Sequence, residues 1–375
     1  MKIYHISTVH KRYDIRIFKK ECITLAHAGF DVSFVVADGK GDELNTGVNI
    51  IDAGFTGAGR KNRFLKGIKL VQKIIQRDKP DILHFHDPEL LLLAQKMAKK
   101  HIVIYDAHED LPTQIMSKPY IKPFLRKITA LLAGYVEKRA AKKIYGVISV
   151  VDSIVNRYKS YNANTILLRN FPVFKSITEP DFKAKNGSIV YAGGVTQIRG
   201  AVEMAAVAKK LQTPISLYGI MENVDLEKQL KLTDGDFVNY YGEVDQEKLF
   251  SIYHKASIGI ILFHPVPNHI NSSPNKLFEY MASGMAVIAS DFPVWKEIID
   301  TYQCGICVNP LNIDETASAI LYLKNNPEMA IEMGKNGRKA VLEHFNWEIE
   351  GRKLIAFYQE IEQTIKTFYN RNSDT

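Results

Sequence analysis

The chain has 375 residues, of which 46% are hydrophobic and 24% charged, a composition typical of a globular protein with two domains. Its net charge of +8 favours anionic partners such as nucleotides, phospholipid headgroups or nucleic acid. Apolar runs shorter than the roughly 18 residues that span a bilayer argue against a transmembrane protein. At the N-terminus, charged residues follow the first apolar residues too soon for a signal peptide, and three cysteines are too few for the disulfide framework of a small secreted protein. We therefore expect a cytoplasmic protein.

The first half of the chain alternates short apolar runs with helical patterns. Strands are predicted at KIYHIS, DVSFVVAD, DILHFHD, IVIYDAH, GVISV and TILLRN, and helices at RIFKKECITLAHAG, 62–77, PELLLLAQKMAKK, 120–143 and SIVNRYKSY. Nearly continuous apolar strands separated by helices are typical of a parallel sheet covered on both faces. Residues 1–170 therefore predict an N-terminal Rossmann-like domain of the α/β class.

Residues 171–187 interrupt this alternation with two prolines and predict an interdomain linker. The alternation resumes over 188–345, which predicts a second Rossmann-like domain. Three helical patterns (312–325, 327–343 and 347–368) end the chain, and we expect the helix within 346–375 to pack back on the N-terminal domain. Two such domains would enclose a cleft lined by the carboxyl ends of their strands, where open α/β sheets bind ligands.

The stretch SSPNKLFEYMASGMAVIASD (272–291) predicts a helix followed by a buried strand. Ser273 suits the N-cap and Pro274 the first helical position, so the helix would present its positive end and Lys276 to an anion. Glu279 lies three residues later on the same face and could accept hydrogen bonds from ribose hydroxyls. A bound nucleotide diphosphate would explain both residues. A surface ion pair between Lys276 and Glu279 would explain them equally well.

The segment YAGGVTQIRG (191–200) closes the first strand of the second domain. Gly193 and Gly194 would let the backbone approach a ligand, and Arg199 could pair with phosphate. The glycine spacing differs from the dinucleotide fingerprint, which argues against a nicotinamide enzyme.

These motifs, together with GEV followed by QEKLFSIY, resemble the retaining glycosyltransferases of family 4, which have the GT-B fold and transfer a sugar from a nucleotide-diphosphate sugar. In the first half, DIRIFKKECITLAHAGFDV, DILHFHDPELL and YDAHEDLP resemble a bacterial branch that serves surface polysaccharides. The resemblance covers nearly the whole chain.

The resemblance implies roles for individual residues. Glu279 matches the second glutamate of the family's Glu-x7-Glu motif, which binds ribose, whereas Asn271 stands at the first. Arg199 keeps one of two phosphate-binding basic positions, and Gly194 stands at the other. His108 resembles a histidine near the donor sugar. The catalytic candidates are thus His108, Arg199, Lys276 and Glu279. The donor-binding candidates are Gly193, Gly194, Arg199, Asn271, Pro274, Asn275, Lys276, Leu277 and Glu279.

Acceptor-side candidates lie in the basic loop 8–18 after the first strand and near the ends of later strands. A solvated loop is the alternative for 8–18. The acceptor-binding candidates are His10, Arg16, His86, Asp87 and Glu109. His84 and His86 face one side of a strand, as a metal pair could, but no third ligand follows at metal spacing. We therefore expect neither metal nor other cofactor, and GT-B enzymes generally need none.

The basic segment 118–143 combines Lys and Arg with aliphatic and aromatic residues and contains one acid, Glu137. It could lie on an anionic membrane or form a solvated basic surface. The expected protein is a peripheral enzyme of the inner membrane face that transfers a sugar from a UDP- or GDP-linked donor to a lipid-linked oligosaccharide of O-antigen or capsule. The alternatives are an epimerase of the same fold and a non-catalytic nucleotide-sugar-binding protein. Without a recognition-helix motif we expect no binding of nucleic acid.

Overall fold

The computed structural model describes residues 1–54, 66–108, 110–116, 122–174, 177–234, 237–270 and 272–373. The chain forms two compact units. The first comprises Met1–Asn170 with Glu348–Thr375, and the second comprises Phe171–Trp347. The segment 171–187, predicted as a linker, lies in the second unit, where Phe171 and Ile177 are buried in the core.

Eight strands form one sheet in the described part of the first unit. They are β1 (Lys2–Ile6), β2 (Asp31–Val36), β3 (Glu43–Asn45), β4 (Val48–Asp52), β5 (Ile82–Phe85), β6 (Ile102–Ala107), β7 (Gly146–Ser149) and β8 (Thr165–Leu167). Their order is β3-β4-β2-β1-β5-β6-β7-β8, and only the β3–β4 pair among them is antiparallel. Strands β1, β5, β6 and β7 are almost fully buried, as expected for a parallel sheet covered on both faces.

The helices of this unit connect successive strands. A π-helical segment (Ile15–Cys22) begins after Asp14, whose carboxylate accepts from the amides of Arg16 and Ile17, and continues as a short α-helix. The α-helices are α1 (Ile23–His27), α2 (Ile68–Asp78), α3 (Leu91–Met97), α4 (Leu111–Met116), α5 (Pro123–Ala141) and α6 (Asp152–Lys159).

The second unit contains a six-stranded, wholly parallel sheet within the residues described, in the order β11-β10-β9-β12-β13-β14. Its strands are β9 (Ile189–Ala192), β10 (Ile215–Tyr218), β11 (Val238–Tyr240), β12 (Ile258–Ile261), β13 (Ala286–Ser290) and β14 (Gly305–Val308). Its helices are α7 (Ala201–Leu211), α8 (Val224–Asp234), α9 (Gln246–Lys255), α10 (Pro267–Ile270), α11 (Asn275–Ala282), α12 (Pro293–Tyr302), α13 (Ile313–Asn325) and α14 (Pro327–Glu343). The predicted α/β class with two parallel sheets is confirmed.

The last helix, α15 (Trp347–Ser373), starts at the end of the second unit and continues into the first. Leu354, Tyr358 and Ile361 are its fully buried side chains among those described. The Tyr358 hydroxyl lies 2.8 Å from Nδ1 of His84, so this helix completes the core of the first unit. None of the helices in the described ranges carries an apolar stretch long enough to cross a bilayer.

Candidate active site

Arg199 lies at the carboxyl end of the second sheet, after β9. A Cβ atom added to Gly194 would lie 3.1 Å from Nη1 of Arg199, and one added to Gly193 would lie 3.6 Å away. On its other side the guanidinium carbon is 5.4 Å from the ring centroid of Phe263, which follows the neighbouring strand β12. The sequence predicts that the two glycines admit a ligand. In the structure the Arg199 guanidinium occupies the space beside Gly194, where a larger residue would crowd it.

A histidine that the sequence reasoning missed supports this arrangement. The His264 amide donates to the carbonyl of Ile198 at 2.9 Å, and its Nε2 lies 3.0 Å from Oε2 of Glu203 on α7. The loop after β12 is therefore tied to the turn that carries Arg199. The partners come from distant segments, and only the adjacency of β9 and β12 brings them together.

Helix α11 follows β12 and carries the predicted phosphate and ribose contacts. Lys276 Nζ donates to Oε2 of Glu279 at 2.7 Å, and their side chains are 25% and 13% exposed. The ion pair that the sequence left as an alternative is thus present, although it is largely buried. The helix begins one residue later than predicted, because Pro274 has an extended backbone and itself occupies the N-cap position. The predicted N-cap at Ser273 is therefore wrong.

The other donor candidates have different outcomes. Pro274 and Asn275 are half-buried at the helix start. Leu277 is fully buried, so its side chain packs in the core, and its amide donates to the carbonyl of Pro274 at 3.1 Å; its contact with the donor stays a prediction. Asn271 lies outside the described residues.

In the first unit, polar residues from β1, β5 and β6 gather on one face of the sheet. His5 pairs in register with His84, and His86 and Asp106 follow at alternate positions of β5 and β6. Because alternate strand residues share a face, these side chains meet beneath the helix that carries Arg16. His5 and Asp106 escaped the sequence reasoning. Their signal was a polar residue at every second position of otherwise apolar strands.

Arg16 holds this polar group together and is not available to an acceptor. It is 6% exposed, and its Nε and Nη2 donate to the Asp106 carboxylate at 3.0 and 2.9 Å. A third bond runs from Nη1 to the carbonyl of Leu168, and Nε lies 3.1 Å from Oε1 of Glu21. The predicted acceptor contact of Arg16 is therefore corrected to a buried structural ion pair.

Asp87 is also turned inward. It is 1% exposed and accepts from the Thr8 amide at 2.6 Å, the Thr8 hydroxyl at 3.1 Å and the Ser7 hydroxyl at 2.9 Å. These bonds fix the loop that follows β1, so its predicted role at the acceptor is likewise corrected. His86 is 1% exposed and its Nε2 lies 3.0 Å from Nδ1 of His5, so its predicted contact with the acceptor is corrected to a place in the buried histidine group. Glu109 lies outside the described residues.

Two histidines of this group reach the surface. His10 is 32% exposed, with Nδ1 3.2 Å from Oδ1 of Asp87. Burial by itself would lower the pKa of His10, but the hydrogen bond and charge of Asp87 raise it overall. His108 is 19% exposed, with Nδ1 3.4 Å from Oδ1 of Asp106. Burial lowers its pKa to about 4 against the opposing charge of Asp106, so His108 is neutral at pH 7.

The innermost part of the group could hold a metal ion. One ligand atom from each of His5, Glu21, His84 and His86 lies within 4.8 Å of the others. Burial lowers the pKa of His5 to about 3 and those of His84 and His86 well below 6.5, which leaves neutral imidazoles. Burial and the Asp106 charge raise the pKa of Glu21. The sequence suggested only the pair His84 and His86.

Comparison with known proteins identifies the chain. The model of the family "Glycosyl transferases group 1" matches residues 187–340, and that of "Glycosyltransferase Family 4" matches residues 20–166. The chain is a glycosyltransferase of the family 4 type. The group 1 match contains Arg199, Lys276 and Glu279, and the family 4 match contains His108, so the catalytic candidates all lie in matched regions.

A curated relative of this glycosyltransferase is the MMP alpha-(1->4)-mannosyltransferase of Mycolicibacterium hassiacum, 24% identical over 169 residues, or 44% of this chain. The chain spans 40% of that relative's length. Two solved structures are similar over their whole length. Sucrose-phosphate synthase from Thermosynechococcus elongatus has a TM-score of 0.75 at 20% identity, covering 96% of this chain and 99% of its own. Anabaena HepE in complex with UDP-glucose has a TM-score of 0.70 at 14% identity, covering 96% and 100%. Such likeness shows the fold, and the predicted GT-B architecture is confirmed.

Proposed function

We propose that the chain is a retaining glycosyltransferase that moves a sugar from a UDP- or GDP-linked donor to a lipid-linked oligosaccharide of a surface polysaccharide, such as O-antigen or capsule. One observation carries the donor side. Neighbouring strands β9 and β12 direct Arg199 and the start of α11, with Lys276, to the same edge of the second sheet.

The charges of this edge suit a nucleotide diphosphate. Arg199 and Lys276 provide two cations, and the N-terminus of α11 adds its positive dipole end. Glu279, 13% exposed, would accept from the ribose hydroxyls once the phosphates draw Lys276 away from it. The structure of HepE with UDP-glucose supports this type of donor, because HepE has the same fold.

The transfer proceeds by attack on the face that the diphosphate leaves, as expected when none of the carboxylates in the described residues stands as a nucleophile. The acceptor hydroxyl oxygen bonds to the anomeric carbon as the bond from that carbon to the phosphate oxygen breaks. The hydroxyl proton passes to the departing diphosphate. Arg199, Lys276 and the helix dipole stabilise the charge that develops there, so no metal ion takes part. His108 of the first unit, whose imidazole is neutral at pH 7 because burial lowers its pKa, is the remaining catalytic candidate.

Donor binding and turnover test this proposal separately. Thermal stabilisation by a panel of UDP, GDP, ADP and CMP sugars should select one donor, because a ligand that binds the native state raises its stability. With that donor, Arg199→Ala should lower kcat by about 10²–10³-fold, the loss seen when one preorganised charge-stabilising group is removed. Lys339→Ala removes an exposed lysine of the same unit and should leave kcat unchanged. Equal turnover by the Arg199 and Lys339 variants would refute the assignment.

Helix α5 is the proposed contact with the membrane that presents the acceptor. Phe124, Leu131, Leu132 and Tyr135 are 61–75% exposed on this helix, which also carries exposed lysines such as Lys138. A groove of about 510 Å³ runs beside it. Apolar side chains interspersed with lysines suit a surface of anionic lipid, where a lipid-linked acceptor would be presented.

A further inference from the structure

Four polar side chains form a closed group in the core of the first unit. His5 of β1, Glu21 of the π-helical segment, His84 of β5 and His86 just beyond it are each at most 1% exposed. We propose that these residues form a structural binding site for a transition-metal dication, for which Zn²⁺ matches the donor set. This goes beyond the proposed sugar transfer, whose donor-binding residues belong to the second unit.

The distances between the ligand atoms fit a tetrahedral ion. His5 Nδ1 lies 3.0 Å from His86 Nε2 and 3.8 Å from Glu21 Oε2, and one ring nitrogen of His84 lies within 4.8 Å of these atoms. Zinc bonds of about 2.0–2.1 Å place tetrahedral ligand atoms about 3.4 Å apart. The 3.0 and 3.8 Å distances lie on either side of this value. Four protein ligands leave no open position, which is typical of structural zinc.

Several buried polar atoms of this group have no hydrogen-bond partner. They are Nε2 of His5, Nε2 of His84 and Oε2 of Glu21, whose Oε1 instead lies 3.1 Å from Nε of Arg16. An unpartnered buried polar atom costs about 1–3 kcal/mol, and such atoms are rare in native cores. A cation bound to Oε2 of Glu21 and Nε2 of His84 would give both of these atoms a partner.

Outer partners orient two of the imidazoles, as metal-binding histidines require. The Tyr358 hydroxyl lies 2.8 Å from Nδ1 of His84. Nδ1 of His86 lies 3.4 Å from Nε2 of His108, on the far side of the ring from the nitrogen that faces His5. These contacts leave His86 Nε2 directed at the centre of the group.

Arg16 is compatible with a cation at this place. Its guanidinium is neutralised by Asp106, and it approaches Glu21 through Oε1, whereas Oε2 faces His5 and His84. A second possible group, His86 with Asp106 and His108, shares one member with the first. It is the weaker site, because Asp106 already accepts from Arg16.

Metal content of the full chain tests the proposal without donor or acceptor. The protein is stripped with a chelator, reconstituted with Zn²⁺ or Co²⁺, and measured by elemental analysis and visible absorption. We expect one ion per chain, the intense visible bands of tetrahedral Co²⁺, and a higher thermal midpoint of the first unit. No retained ion and no Co²⁺ bands in the native sequence would overturn the site, whatever the variants do.

Two matched variants locate the ion. Glu21→Gln keeps the shape but removes the charged ligand, and it should weaken Co²⁺ binding by at least about 100-fold, more than the loss of an outer-shell partner. His27→Gln removes an exposed histidine of α1, which directly follows the segment containing Glu21, and should bind as the native chain does. Equal binding by the two variants would place the ion elsewhere and overturn the proposal. Sugar transfer could fail in either case without changing this result.

Discussion

Replacing Arg16 by Met should destabilise the first unit by about 3–5 kcal/mol, because the change leaves buried carboxylates without their cation. Asp106 is fully buried and accepts from Arg16 Nε at 3.0 Å and Nη2 at 2.9 Å, and Glu21 Oε1 lies 3.1 Å from Nε. Since about 1.4 kcal/mol corresponds to a tenfold change in an equilibrium constant, a loss of about 4 kcal/mol raises the unfolded population of this unit roughly a thousandfold.

Guanidinium denaturation followed by two signals isolates the effect. Both tryptophans, Trp295 and Trp347, belong to the second unit, so their fluorescence reports that unit, whereas far-ultraviolet circular dichroism reports both. Arg16→Met should produce an early transition in the dichroism that the fluorescence lacks. Adding Asp106→Asn should restore part of the loss, because both charges are then absent.

The matched control is Arg77→Met in the same unit. Arg77 pairs with Asp78 at 2.6 Å but is 63% exposed, and such surface pairs contribute at most about 1 kcal/mol. If Arg16→Met and Arg77→Met unfold at the same guanidinium concentration, the buried pair does not stabilise the first unit and our argument for Arg16 fails.

Two further predictions concern the surface. The double variant Leu131→Glu, Leu132→Glu should no longer float with anionic phospholipid vesicles. Leu44→Glu, a change at a similarly exposed leucine of the first unit, should float as the native chain does. Flotation of the double variant would exclude α5 as the membrane contact. His10→Asn should destabilise more at pH 5.5 than at pH 8.5. Asp87 raises the pKa of His10 in the folded protein, although burial opposes this. Protonated His10 therefore stabilises the fold below about pH 6.5, the ordinary histidine pKa, and this stabilisation is lost as the pH rises through the folded pKa. A pH-independent difference in unfolding free energy between the variant and the native chain would contradict this.

Periodicity predicts most of this fold, because long buried strands and amphipathic helices leave strong patterns. The three final helices, predicted at 312–325, 327–343 and 347–368, occur at Ile313–Asn325, Pro327–Glu343 and Trp347–Ser373. The hairpin β3–β4 was not predicted. Its strands are short and partly exposed, so neither length nor alternation distinguishes them from a loop.

The candidate site was less predictable, because sequence shows which side chains are polar but not which way they face. Lys276 and Glu279 were found from their spacing on one helix, and their ion pair follows from it. The sequence predicts acceptor contacts at Arg16, in the loop after β1, and at Asp87, just beyond β5. Both turn inward, since partners as distant as Asp106 and Thr8 are supplied by the sheet register.

The path of the chain through its two units bears on how it folds as it is synthesised. The second unit is continuous in sequence, whereas the first consists of two segments, one ending at Asn170 and the other beginning at Glu348. Tyr358 and His84, which meet at 2.8 Å, are 274 residues apart. The contact between Tyr358 and His84 therefore forms only after the whole second unit has been synthesised. The second unit can complete its core before the first unit does. An expression product that stops before α15 would lose that contact permanently.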